Sequence, residues 1–137
     1  MLKRAFTIAL VAVTVVATAP ARAVESGPPG QRSIEGGPAP FDSDLMRLAE
    51  ILGALHHLRA LCGANEGQKW RDQMQALLDA EAPAGERRSR MVANFNRGYR
   101  GFRQTYRTCT PAAGLAVRRY LEEGAKISRE ITARYAN

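Results

Sequence analysis

The sequence predicts an all-α domain: a small bundle of about four helices with one disulfide, preceded by a signal peptide and a flexible segment. Three observations predict it. From Asp42 to the C-terminus the apolar residues recur with the 3.6-residue period of helices. No stretch alternates apolar and polar residues between hairpin turns, so no sheet is expected. The only two cysteines, Cys62 and Cys109, fall on the apolar sides of the first and third helical segments.

The chain opens MLKRAFTIALVAVTVVATAPARAVE. Lys3 and Arg4 precede an uncharged run from Ala5 to Ala19, Pro20 breaks it, and Ala21-Arg22-Ala23 is a small-residue cleavage pattern. These are the parts of a secretory signal peptide, with cleavage expected after Ala23. The rival reading is a membrane anchor, but a spanning helix needs about 20 apolar residues and this run is short. No cysteine precedes Cys62, which argues against lipidation at a cysteine just after the leader. The domain limits expected are 1–23 for the leader, 24–41 for a flexible segment and 42–137 for the helical domain. The expected address is the periplasm. There an even cysteine count favours a bridge, whereas in the cytosol the same pair would more often be free thiols.

The chain carries 20 basic and 13 acidic residues, a net charge of +7. Loss of Lys3, Arg4 and Arg22 with the leader brings the basic count to 17 and the net charge to +4. A modest positive excess favours anionic partners without selecting one. Val24 to Pro40, VESGPPGQRSIEGGPAP, is rich in glycine and proline and nearly without apolar residues, the composition of a flexible spacer.

In the first helix Leu45, Leu48, Ile51, Leu52, Leu55, Leu58 and Cys62 share one side. Asp42 or Ser43 is placed to cap its start, and Gly63 to end it. Asn65, with Gln68 three residues on, predicts a capping box for the second helix. Trp70, Met74 and Leu77 form its stripe, flanked by Leu78, and it should stop near Ala82-Pro83. The third helix is expected from about Ala84 to Thr108. Met91, Val92, Phe95, Tyr99, Phe102, Tyr106 and Cys109 fall on one side of its wheel, and Arg90, Arg97, Arg100, Arg103 and Arg107 on the other. Asn94, Gly98, Gly101 and Thr105 form a strip of small residues. Interior glycines cost about 1 kcal/mol each relative to alanine, so close packing of a neighbour against this strip is expected. The alternative is that Gly98 and Gly101 break the helix and leave RGYRGFR as a loop. Thr110 and Pro111 predict the start of the fourth helix, whose apolar side carries Val117, Tyr120, Leu121, Gly124, Ile127, Ile131 and Tyr135.

Few residues suggest chemistry. His56 and His57 point about 100° apart on a helix and have no further ligand at helical spacing, so neither metal nor cofactor is expected. His56 should border the apolar side and His57 should face solvent. Glu122-Glu123 sits among Arg118, Arg119 and Lys126 at spacings that give surface ion pairs rather than acid–base catalysis. No nucleophile elbow, phosphate loop or dinucleotide fingerprint is present. Residues 86 to 119 hold nine arginines and no lysine against the single acid Glu86. Arginine's planar fork suits phosphates and carboxylates. The same row could instead be a solvated face balanced by acids such as Asp72, Asp79 and Glu81.

The blocks LAEILGALHHLRALCG, KWRDQMQALLDAE, FNRGYRGFRQTYRTCTPAA and RRYLEEGAKISREI resemble those of a family of small exported alphaproteobacterial conserved hypothetical proteins, a domain of unknown function, over roughly residues 45 to 135. The resemblance implies a Gram-negative periplasmic setting and carries over no catalytic position. The functional expectation is a non-enzymatic envelope binding or adaptor protein whose arginines, Arg90, Arg97, Arg100, Arg103 and Arg107, meet an anionic envelope component or acidic protein. Peripheral membrane contact fits that expectation, and export argues against nucleic acid. The alternative is an enzyme or enzyme accessory with a cleft near Trp70, His56 and Tyr99.

Overall fold

The computed structural model describes residues 38–135. The expected signal peptide, and the flexible segment up to residue 37, lie outside the described residues. Among the described residues there are four helices: α1 (Asp42–Leu61), α2 (Lys69–Glu81), α3 (Gly85–Thr105) and α4 (Pro111–Tyr135). There is no strand among the described residues.

α1 is the hub. Beyond the expected leucine side, Met46, Ala49, Gly53 and Ala54 are also buried, so this helix is enclosed on most of its circumference. A helix apolar on nearly every side belongs at the centre of its fold. α3 lies along one side of it, while α2 and α4 pack on others. Leu45, Met46, Ala49 and Leu52 join Met74, Leu78, Ala82 and Met91 in one core cluster. Leu48, Ile51, Leu55 and Leu58 join Ala113, Val117 and Ile127 in a second.

α1 and α3 touch backbone to backbone. A Cβ placed on Gly98 would stand 2.0 Å from the Glu50 carbonyl oxygen, and one on Gly53 would stand 1.9 Å from that of Phe95. α3 is therefore continuous through both of its interior glycines, and the loop alternative is overturned. The expected reason for them holds at Gly98 only. Gly101 faces open space, and nothing in the structure explains it.

The end of α1 follows the expected rule. Gly63 has φ +82°, the Ala64 N–H bonds the Arg59 carbonyl at 2.9 Å, and the Gly63 N–H bonds that of Ala60 at 3.3 Å. This is a Schellman closure, open to glycine because it lacks a Cβ. The start of α4 is also as expected, with the Ala113 N–H donating to Thr110 Oγ1 at 3.1 Å.

Two expected caps do not form. The N-cap of α1 is Phe41, with no side-chain bond. Asp42 is instead buried, accepting from the Ala39 N–H at 3.0 Å and forming an ion pair with Arg87 at 2.9 Å. The Asn65–Gln68 capping box is absent, because Gly67 at φ +55° inserts a turn and delays α2 to Lys69. α3 ends at Thr105, earlier than expected, as Tyr106 turns extended at φ −118°, ψ 115°. Cys109 is consequently in the connection to α4, exposed, and not on the inner side of a helix. Val92, expected inside, is 38% exposed.

The expected bridge is present. Cys62 and Cys109 are joined, with Cα atoms 4.9 Å apart, and the end of α1 is thereby stapled to the α3–α4 connection.

Candidate functional site

α3 separates its rings from its guanidinium groups. Phe95, Tyr99 and Phe102 of α3, and Tyr106 just past its end, are half-buried, whereas Arg90, Arg97, Arg100 and Arg103 are exposed; Arg107 is exposed too, but in the connection to α4 and not on the helix where its spacing put it. The separation follows from sequence spacing: the rings recur at intervals of three or four residues, and the arginines occupy intervening positions.

Part of this charge is balanced. Arg97 reaches Glu50 of α1 at 3.0 Å, and Arg103 lies over the Tyr99 ring at 5.6 Å. Arg88 sits 3.8 Å from Asp79. Asp42 and Glu50 supply balancing carboxylates from α1, at a distance in sequence that periodicity could not reveal. The guanidinium groups of Arg90, Arg100 and Arg107 have no charged or ring partner among the described residues. Of these three only Arg100 borders a shallow depression of about 390 Å³, lined by Ala93, Arg97, Arg100, Gly101 and Gln104.

The histidines form a ring cluster under α3. His56 packs on Tyr99 and Phe95, with centroids 5.5 and 6.2 Å away. Its Nδ1 is buried and makes no hydrogen bond. Contrary to expectation, His57 is only partly exposed. Its Nε2–H donates to the Tyr106 carbonyl at 2.9 Å, and its ring meets Tyr99 edge-on at 5.9 Å. That bond ties α1 to the end of α3 and fixes the proton on Nε2.

Burial first, then the charges of Arg71 and His57, hold His56 below its ordinary pKa. The unfolded chain therefore takes up this proton at higher pH than the folded one. The resulting stability is complete above about pH 6.5 and is lost as pH falls through the folded value. The melting temperature should drop between pH 7 and 5.5, and His56→Phe should flatten that drop. An unchanged slope in the variant would assign it elsewhere.

Trp70 is fixed by a short relay. Its Nε1–H donates to Glu66 Oε2 at 2.7 Å, and Arg59 Nε donates to the same oxygen at 2.9 Å. With Arg59 and then the indole as its partners, the Glu66 carboxyl is pulled down to about 2. Trp70 lines a groove between α2 and α4. His56 and Tyr99 do not line it, so the three residues of the alternative cleft fall into two separate places.

The acidic pair on α4 behaves differently from expectation in its partner. Glu123 accepts from Arg47 Nε at 2.7 Å and Nη2 at 2.9 Å, a two-pronged bond between α4 and α1. Its pKa is lowered chiefly by Arg47, the opposite of what a proton donor needs. Among the described residues no group of three or more histidines, cysteines or acids could hold a metal ion. None of the described helices is long and apolar enough to cross a membrane.

These features define a disulfide-stapled, all-α domain built around one central helix. Residues 40–135 match the model of a family described as a protein of unknown function (DUF2385), and the chain belongs to that family. No curated protein and no solved structure matches it.

Proposed function

We propose that this chain is an exported, periplasmic binding or adaptor protein of the cell envelope, without catalytic activity, that holds an anionic partner on an arginine-rich face of α3. One observation carries the reading: Arg90 and Arg100 are exposed without a charged partner, beside Arg97 and Arg103, on a helix whose opposite side is packed, and Arg107 is likewise exposed and unpaired in the connection just past its end. Among the described residues no charged or ring partner engages Arg90, Arg100 or Arg107. Their fork geometry fits phosphate and carboxylate oxygens. The leader pattern at residues 1–23 supports export. The bridge fits an oxidising compartment.

The test is co-sedimentation with anionic vesicles across a salt titration. Each basic group near such a surface contributes about 1 kcal/mol. The Arg97/Arg100/Arg103→Ala variant should thus bind roughly 100-fold more weakly, with an unchanged circular dichroism spectrum. Binding that ignores salt, or that survives in the variant, would count against the arginine face.

A further inference from the structure

We propose that the groove between α2 and α4 is a second binding site, for a single aliphatic chain ending in a carboxylate, that is, a free fatty acid. It is separate from the arginine face. The two helices both pack on α1 with no close backbone approach to each other, and the gap holds about 380 Å³. That lies at the lower end of the roughly 300–1,000 Å³ range of small-molecule sites.

The lining sorts by chemistry. Leu48, Ile51, Leu52 and Leu55 of α1 form the floor, with Trp70 and Leu121 beside them. From Leu48 to Leu55 the floor runs about 10 Å, at 1.5 Å per residue, a length suited to a medium acyl chain. Trp70 is not a loose side chain that could swing in to close the gap. Its indole N–H is held by Glu66, which is held in turn by Arg59.

The charge sits at one end. Lys69 lines the groove in the first turn of α2, with its ammonium 5.1 Å from the Trp70 ring centroid. Arg59, one turn beyond Leu55, stands close by through their shared partner Glu66. Two cations against one carboxylate leave this end positive, and the N-terminus of α2 adds to it. An apolar trough with one positive end complements an apolar chain with one negative end.

Trp70 is the only tryptophan in the chain, so its emission reports on the groove directly. Titration with dodecanoate below its micellar range should change that emission saturably. Dodecyltrimethylammonium, with the same chain and opposite charge, should bind at least 10-fold more weakly. Lys69→Glu should weaken dodecanoate by about 10-fold. Ala125→Phe, placing a ring from the exposed rim into the trough, should abolish the change while keeping the parent's helicity. Arg97/Arg100/Arg103→Ala should bind dodecanoate as the parent does, which separates this site from the arginine face. An unsaturable response, equal affinity for the cationic analogue, full binding by Ala125→Phe, or loss of binding in the arginine variant would each overturn the proposal.

Discussion

Gly98→Ala should unfold the domain or lower its melting temperature by on the order of 15 °C, while Gly101→Ala, three residues away on the same helix, should raise it. The added methyl at Gly98 would lie 2.0 Å from the Glu50 carbonyl oxygen and 3.1 Å from the Ala54 nitrogen. Both are backbone atoms of the central helix and cannot rotate aside as a side chain would. Relief requires α3 to move away from α1, which opens the core on both sides of the crossing. Overpacking a well-filled core costs roughly 1–3 kcal/mol, and a backbone clash belongs at or beyond the upper end. Each kcal/mol is worth about 4–8 °C in a domain of this size. Gly53→Ala meets the reciprocal obstacle, 1.9 Å from the Phe95 carbonyl oxygen, and should be equally damaging. At Gly101 a methyl would meet nothing within 4 Å. There the variant recovers about 1 kcal/mol of helix propensity. Thermal melts of the three variants check this, and equal melting temperatures for Gly98→Ala and Gly101→Ala would remove the close crossing from the fold.

Breaking the Cys62–Cys109 bridge should have the second large effect. The linked residues are 47 apart, and for a loop of that length the chain-entropy relation gives about 4 kcal/mol. Small domains have only roughly 5–15 kcal/mol in total. Cys62→Ser, Cys109→Ser or reduction should each lower the melting temperature by roughly 15–30 °C. Besides the bridge, the connection between Thr105 and Pro111 is held at Tyr106, by the His57 bond to its carbonyl and its ring's packing on Phe102, and at Thr110, by its bond to the Ala113 N–H. Thiol titration of the denatured, unreduced protein should find no free thiol. Two reactive thiols, or a reduced protein melting within a few degrees of the oxidised one, would contradict the bridge's role.

The helices were legible because each outer one presents a simple stripe. Met74 in α2, and Val117, Gly124 and Ile127 in α4, are buried where periodicity puts them, whereas in α2 the flanking Leu78 rather than Leu77 is fully buried and Tyr135 at the end of α4 is 40% exposed. The Thr110–Pro111 start of α4 and the Gly63 stop of α1 were legible too, since both are local rules about backbone donors and a missing Cβ. The central position of α1 was harder to read. Its leucines suggested one side, and the small residues Ala49, Gly53 and Ala54 on the other sides gave no apolar signal of their own, although their smallness is what admits neighbours. Gly98 pointed to a close approach without naming its partner, which only the fold supplies in Gly53. The ion pairs Asp42–Arg87, Glu50–Arg97 and Arg47–Glu123 join residues far apart in sequence. No local pattern announces such pairs, and the one expectation made about Glu123 looked along its own helix rather than across to α1. The arginine row was visible from spacing, but which members α1 balances was not.

The enclosure of α1 divides labour within the chain. Its twenty residues act as an axle that tells three neighbours where to sit, and eleven of them are buried. The outer rows of α2, α3 and α4 carry whatever the molecule presents to its surroundings and can be rewritten without disturbing that instruction. Descendants of this fold could change what they recognise by editing the rims and leaving the axle alone, whereas an edit to the axle would have to satisfy three partners at once.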